Sequence, residues 1–270
     1  MILPKVSVIM AAYNAEKYIL ESINSILDQD FRDIELIICD DASTDSTWSL
    51  ICEAKGKDGR IVAMQNESNL KAAASRNKCI KLAKGEYIAI QDADDISMPG
   101  RLSKQIKALE NNEEYDFISS GMSLFDENGV WKKITPKKYP TKYDFLTSTP
   151  FLHGSTMFKK SILKNVNGYR VAKETQRGQD FDLFMRLYST GYKGMNLQEQ
   201  LYGYRVDEHT LGRRKLKYRY HGVVNRYKNF KKMGLMPIGY IFMFKPIIGW
   251  LIPRKVIYQV KKVMSLKSNT

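Results

Sequence analysis

Apolar residues along this chain come in short continuous runs, separated by stretches with helical spacing. KVSVIM, residues 5–10, is rich in β-branched positions and gives way to Ala11, Ala12, Tyr13 and Asn14, which predicts a strand running into a loop. Tyr18, Ile19, Ile23, Ile26 and Leu27 then recur at the spacing of one helix face. IELIICDD (34–41) predicts a second strand ending in paired aspartates, and a helical stretch follows around Trp48 to Ala54. RIVAMQN (60–66) is a third strand, Ala72 to Lys84 a helix ended at Gly85, and EYIAIQ (86–91) a fourth strand. Strands that are apolar on both faces and alternate with helices predict an α/β fold, a mostly parallel sheet covered on both sides. Beyond residue 100 the pattern changes. A helix is expected over 99–111, then a strand and hairpin from FISSGMSLFD with its turn at Glu127, Asn128 and Gly129. FLHGSTMFKKSIL reads as strand, turn and helix, and QDFDLFMRLYSTGY as a helix with Phe181, Phe184, Met185 and Tyr188 on one stripe.

Sheets of this kind bind ligands at the carboxyl ends of their strands. Asn14, the pair Asp40 and Asp41, and the cluster Asp92, Asp94 and Asp95 all fall there. In an extended chain residues two apart share a face, so Asp92 and Asp94 can converge on one point with Ala93 directed away. Two converging carboxylates suit Mg²⁺ or Mn²⁺, an ion typically completed by water and substrate phosphates. Asp40 and Asp41 are adjacent and point apart, so one is expected to face the ligand. Asp95 is expected to turn elsewhere, toward an acceptor or Arg101. No GxGxxG follows the first strand and no GxxxxGK[ST] occurs, which argues against a dinucleotide dehydrogenase and a P-loop NTPase.

Composition sharpens one point. The net charge of +14 is carried by the last quarter of the chain: from His209 to Thr270 there are fifteen Lys or Arg and no Asp or Glu. The preceding residues hold 28 basic against 29 acidic side chains, a near-neutral body. The tail also contains GLMPIGYIFMFKPIIGWLIP, in which Lys245 and Pro237, Pro246 and Pro253 interrupt the apolar run. A membrane span of about 20 apolar residues is therefore disfavoured. Short basic and aromatic segments suit an anionic membrane surface instead, and the other reading is core helices with a solvated basic face. Nucleic acid is not the expected partner. Cys39, Cys52 and Cys79 lack metal-ligand spacing and suit a reducing compartment, and the N-terminus reads as a first strand, not as a signal peptide.

VSVIMAAYN, IICDDASTDST, NLKAAASRNKCIKLAKGEYIAIQDADD and GYRVAKETQRGQDFDLFMRL together resemble, in order and spacing, the family-2 glycosyltransferases of GT-A fold. The resemblance is strongest over 5–110 and looser to about 208. It implies an inverting, metal-dependent enzyme that uses a nucleotide-diphosphate sugar, with UDP favoured. Residues 1–100 would form the nucleotide-sugar half and 101–208 the acceptor half, leaving 209–270 as a basic membrane-associating region. Ala12, Tyr13, Asn14 and Asp41 would hold base and ribose, with Asp40 a neighbour in that contact. Arg76 and Asn77 match an RN pair near the uracil or diphosphate. Asp92, Ala93 and Asp94 match the DxD-type motif, with Asp94 the first metal ligand and Asp92 the second. Asp180, in the pair Gln179 and Asp180, is the implied base. Arg205, His209, His153 and Gln179 are implied contacts to diphosphate or acceptor. The sequence departs from the family at Lys71, where Gly is frequent, at Gln179, where Glu is, and at Asp207, where a His is often found. The expected acceptor is a glycan or lipid-linked sugar of bacterial surface polysaccharide, lipopolysaccharide or capsule, at the cytoplasmic face of the membrane. A non-catalytic nucleotide- or sugar-binding module and a basic peripheral adaptor are the alternatives.

Overall fold

The structure, a computed structural model, describes residues 3–206, 216–245 and 247. Strands β1 (Val6–Ala12), β2 (Ile34–Asp40), β3 (Ile61–Gln65) and β4 (Tyr87–Asp92) alternate with helices α1 (Ile19–Leu27), α2 (Thr47–Lys57) and α3 (Ala72–Leu82). β1 pairs in parallel with β2 and β4, and β2 with β3. Their residues alternate between two cores. Ile9, Ile37, Cys39, Ile88 and Ile90 enter one, and Val8, Met10, Leu36, Ile38 and Ala89 the other. That double burial is why these strands are apolar throughout.

The second half continues the sheet with mixed pairing. It holds β5 (Ile96–Ser97), α4 (Arg101–Asn111), β6 (Phe117–Asp126), β7 (Gly129–Ile134), β8 (Met157–Lys159), α5 (Lys160–Asn165), α6 (Gln179–Ser189) and β9 (Gly194–Arg205). The order is β3-β2-β1-β4-β8-β6-β9-β5, with β7 on β6. β8 is antiparallel to both β4 and β6, so it joins the two halves, whereas β6 and β9 are parallel. α4 begins two residues later than expected. Ile96 and Ser97 are held as a strand against Gly203 and Tyr202, and Gly100 takes φ +74 just ahead of the helix.

The body does not end near residue 208. α7 (Leu216–Lys232) and α8 (Gly239–Met243) follow, and Phe230, Met233 and Leu235 are buried in the same core as Phe181 and Phe184 of α6. The expected basic appendage is therefore, over 216–245, packed onto the second half of the chain by its apolar face. Burial of these three side chains stabilises that docking by roughly 1.5–3 kcal/mol each.

Candidate active site

The carboxyl ends of β1, β2 and β4 lie side by side, with Ala12 opposite Asp40 and Ala11 opposite Asp92 in the ladder. Tyr13 is exposed in the loop after β1. Asn14, at φ +49, is tied to the next loop: Ser43 Oγ accepts its N–H at 3.0 Å and its Oδ1 accepts the Thr44 N–H at 2.9 Å. Asp40 and Asp41 point apart as expected, but both are buried and engaged. Asp40 accepts from Ser43 N, Ser43 Oγ and Gln65 Nε2. Asp41 accepts the N–H groups of Leu70 and Lys71, each at 2.8 Å, together with Asn66 Nδ2 and Ser75 Oγ. Asp41 thus fixes the segment leading into α3, with three donors on Oδ1 and one, the Lys71 N–H, on Oδ2.

Lys71 ends that segment at φ +71, a conformation that costs an L-residue roughly 1–3 kcal/mol and that Gly adopts freely. This explains physically why Gly suits the position. Lys71→Gly is expected to raise stability by about 1 kcal/mol, read as an upward shift of the urea midpoint. A lowered midpoint would show that the Lys71 side chain outweighs the strain.

Arg76 and Asn77 diverge. Asn77 clamps a distant loop: its Nδ2 donates to the Tyr169 carbonyl at 2.7 Å and its Oδ1 accepts the Tyr169 N–H at 2.8 Å. Gly168, at φ +60, makes room for it, because a Cβ there would sit 2.4 Å from Oδ1. Asn77 is therefore a brace between α3 and the Tyr169 loop. Arg76 faces a cleft of about 790 Å³ and donates from Nη2 to Asp92 Oδ1 at 2.5 Å. Its Nε and Nη1 are buried without a hydrogen-bond partner. Burial alone would lower the Arg76 pKa, but Asp92 beside it leaves it raised. Burial likewise pushes the Asp92 carboxyl up, and Arg76, followed by His153, brings it below the ordinary carboxylate value.

Within the acidic cluster, Asp92 lines the cleft, Ala93 is buried in the core and Asp94 is exposed. Ala93 accordingly has only its backbone to offer a ligand. Asp95 is buried and does not reach toward Arg101: its Oδ1 accepts the Arg205 N–H at 2.8 Å. Burial, with Asp92 and Asp94 nearby, pushes its carboxyl well above the usual range. Arg205 is a brace as well. Its guanidinium lies between the rings of Tyr18, at 4.2 Å, and Phe125, at 4.5 Å, pairs with Glu21, and donates from Nε to the Asp94 carbonyl at 2.9 Å. Through these contacts it shapes the aspartate loop. His209 lies outside the described residues.

The second half of the chain supplies the facing residues. Gln179 and Asp180 open α6 and line the same cleft as Arg76 and Asp92. Asp180 is near enough to Arg76, His153 and Tyr169 to act electrostatically on all three. His153 Nε2 meets the Tyr169 hydroxyl at 2.7 Å. Burial, followed by the Arg76 charge, lowers the His153 pKa to about 4, so the ring is neutral above that pH. Between the ordinary imidazole value and about 4, the unfolded chain binds a proton that the folded chain does not. Stability is therefore fully present above pH 6.5 and falls as the pH drops through this window, by about 3 kcal/mol for the full shift. Unfolding midpoints at pH 7 and pH 4.5 should differ less in His153→Gln than in the wild type. Equal differences in the two proteins would exclude His153 as a source of the slope.

Sequence reading missed several of the cleft's residues. Tyr202 and Tyr204 come from β9, Tyr218 from α7, and Gln176 and Arg177 from the loop before α6. The Tyr202 hydroxyl accepts the Asp92 N–H at 3.2 Å, and Arg101, fully buried, lies 5.2 Å from the Tyr202 ring centroid. Arg101 donates to Gln91 Oε1, Ser97 Oγ, Gln105 Oε1 and the Ile90 carbonyl. Burial lowers its pKa to about 10. Asp182, two residues on from Asp180 and on nearly the opposite side of α6, is fully buried, and it accepts from Arg170 Nη2 and Arg186 Nε at 2.8 Å and from Asn229 Nδ2 at 3.0 Å. A Tyr-rich stretch, YGYR at 202–205, was the available signal for β9.

A metal site can be tested against these donors. Among the described residues no three His, Cys, Asp or Glu side chains form a cage. Asp92 spends Oδ1 on Arg76 and still lines the cleft, and Asp94 is exposed beside it. Asp92 thus offers one hard carboxylate inside the cleft, and Asp94, outside the cleft lining, a second beside it. Carboxylates of this kind suit Mn²⁺ or Mg²⁺ whose remaining ligands are water and phosphate.

A mostly parallel sheet in which Asp92, at the end of β4, shares a cleft with a helix of the second half defines an α/β fold of the GT-A class. The chain belongs to glycosyl transferase family 2, whose sequence profile matches residues 7–166. It is 40% identical over 267 residues, 98% of this chain and 96% of the relative, to a Bacillus subtilis (strain 168) protein named provisionally as the glycosyltransferase EpsE. It is 33% identical over 213 residues, 78% of this chain and 81% of the relative, to the Escherichia coli UDP-Glc:alpha-D-GlcNAc-diphosphoundecaprenol beta-1,3-glucosyltransferase WfaP. Among solved structures it matches S. aureus TarS 1-349 in complex with UDP-GlcNAc, with a TM-score of 0.69 and 22% identity, over 83% of this chain and 66% of that one. It also matches the mannosyltransferase PcManGT of Pyrobaculum calidifontis in complex with GDP-Man and Mn²⁺, with a TM-score of 0.64 and 19% identity, over 98% of this chain and 81% of that one. The two structural likenesses concern the fold.

Proposed function

We propose that the chain is an inverting hexosyl- or N-acetylhexosaminyltransferase that moves a sugar from a nucleoside diphosphate, UDP by preference, onto a hydroxyl of a glycan or lipid-linked acceptor. The observation that carries this reading is the shared cleft, lined by Arg76 and Asp92 from the first half and by Asp180 from α6. Arg76 and Lys71 bring positive charge to it, and the unpartnered Nε and Nη1 of Arg76 suit a diphosphate oxygen. Exposed Tyr13, beside the carboxyl end of β1, is read as holding the base together with Ala12, Asn14 and Asp41, with Asp40 a neighbour.

Asp180 takes the proton of the acceptor hydroxyl as its oxygen attacks the anomeric carbon. The bond from that carbon to the diphosphate breaks on the opposite face, the nucleoside diphosphate leaves with the electron pair, and the configuration inverts. Arg76 stabilises the negative charge that develops on the leaving group. Asp94 and Asp92 would hold Mn²⁺ or Mg²⁺, which supplies further Lewis-acid stabilisation there. His153 and Tyr169 hold the wall between Arg76 and Asp180.

The acceptor is read as a diphosphate-linked sugar lipid, in line with the activity named for WfaP. No helix among the described residues is long and apolar enough to cross a membrane. Work on such an acceptor would instead place the chain peripherally at the cytoplasmic face, through residues 209–270. Incubation with UDP-, GDP- and dTDP-sugars tests the reading. A UDP-sugar should be consumed with Mn²⁺ and spared on chelation, whereas consumption of none of the donors would leave a binding module.

A further inference from the structure

A second cleft, of about 540 Å³, opens where the loop before α6, α6 itself and α7 meet. Arg170, Arg186, Lys228, Lys231 and Lys232 line it, and no acidic residue does. The carboxylates that balance these cations are only partly sufficient. Arg170 and Arg186 share the buried Asp182, and Lys228 pairs with Glu174 at 2.6 Å. Lys231 and Lys232 are exposed and have no ion pair among the described residues. Arg170 Nε is buried without a hydrogen-bond partner. The cleft therefore carries unmet positive charge and an unmet donor, which suits a phosphate.

Its rim narrows the source of that phosphate. The Tyr227 ring on the cleft wall lies 6.4 Å from Tyr240, centroid to centroid. Tyr240 belongs to a patch with Ile238, Ile241 and Phe244 in which every side chain is exposed, Ile241 by 72%. Inorganic phosphate or a nucleic-acid backbone would leave these apolar side chains in water. A phospholipid surface engages both features at once, the phosphate in the cleft and the apolar side chains at the headgroup–acyl boundary.

We propose that this cleft binds the phosphate of an anionic phospholipid headgroup, with Ile238, Tyr240, Ile241 and Phe244 entering the membrane interface. The proposal rests on the peripheral reading above and replaces a diffuse basic tail with a defined site. The residues that line the cleft also hold Asp182, on the helix that begins with Gln179 and Asp180. A seated headgroup therefore sets the orientation of the catalytic cleft to the membrane.

The test is co-sedimentation of the full chain with vesicles of phosphatidylglycerol and phosphatidylcholine, and with phosphatidylcholine alone. The mixed vesicles should be strongly preferred. A Lys231→Ala, Lys232→Ala double variant should lower that partitioning on the order of twentyfold, at about fivefold per lysine. Its consumption of UDP-sugar without vesicles should be unchanged. Ile241→Asp should weaken binding to both vesicle types. Wild-type partitioning of the double variant would overturn the proposal. If binding instead disappears only when Arg254, Lys255, Lys261 and Lys262 are replaced by Ala, the peripheral reading stands and the cleft proposal falls. If the wild type binds neither vesicle, both fall.

Discussion

Asp180→Asn is expected to reduce sugar transfer roughly a hundred- to ten-thousand-fold, the range for losing a positioned general base, while leaving UDP affinity within about twofold. The amide keeps the size and the helix position of the carboxylate but cannot take the acceptor's proton. Asp180 lies in the cleft without an ion pair among the described residues, so its replacement should leave the unfolding midpoint close to wild type. Calorimetric titration with UDP and a transfer assay on one preparation separate the two effects. Equal losses in affinity and turnover would assign Asp180 to donor binding instead.

Asp182→Ala should do the opposite, costing stability first. Asp182 is fully buried and neutralises Arg170 and Arg186 while accepting from Asn229, so its loss strands two guanidinium groups. Removing one partner of a buried pair costs about 3–5 kcal/mol. Arg170 keeps Glu174, and Arg186 keeps the Val166 and Gly168 carbonyls, which places the expectation at the lower end. A loss of about 3 kcal/mol is a large share of a typical folding free energy and should lower Tm by roughly 6–12 °C. Asp182→Asn retains a hydrogen-bond acceptor and should lose less. An unchanged Tm in Asp182→Ala would show that α6 is not held through this carboxylate.

What was legible in the sequence was what is local. β1, β2 and β4 are apolar on both faces because each is buried on both, and the aspartates that end β2 and β4 mark where those strands stop. Asp180 was recognisable only through the resemblance, since a carboxylate in a first helical turn is ordinary in itself. β9 left only a weak trace, the YGYR stretch, for a physical reason. Gln198, Glu199 and Gln200 interrupt it, its pairing with β6 shifts register twice, and only its ends are buried, so no period of two survives. Tyr202 and Tyr204 went unseen with it.

Two further features share a cause. Asn77 and Arg205 each bind backbone far away in the chain, that of Tyr169 and Asp94, 92 and 111 residues distant. α7 is rich in basic residues, yet Asn225 and Asn229 on it are buried because Arg170 and Asp182 lie opposite them. Polar burial of this kind is decided by the partner, and the partner is distant in sequence.

The central claim is that one cleft, with Asp92 from β4 and Asp180 from α6, carries out inverting transfer. It is tested most directly by the anomeric configuration of the product formed from an α-linked UDP-sugar and a diphosphate-linked sugar lipid, read from the one-bond C–H coupling of the new linkage by NMR. A β-linked product, formed by the wild type and lost in Asp180→Asn, is the predicted result. An α-linked product, or a β-linked product formed equally well by Asp180→Asn, would contradict the account.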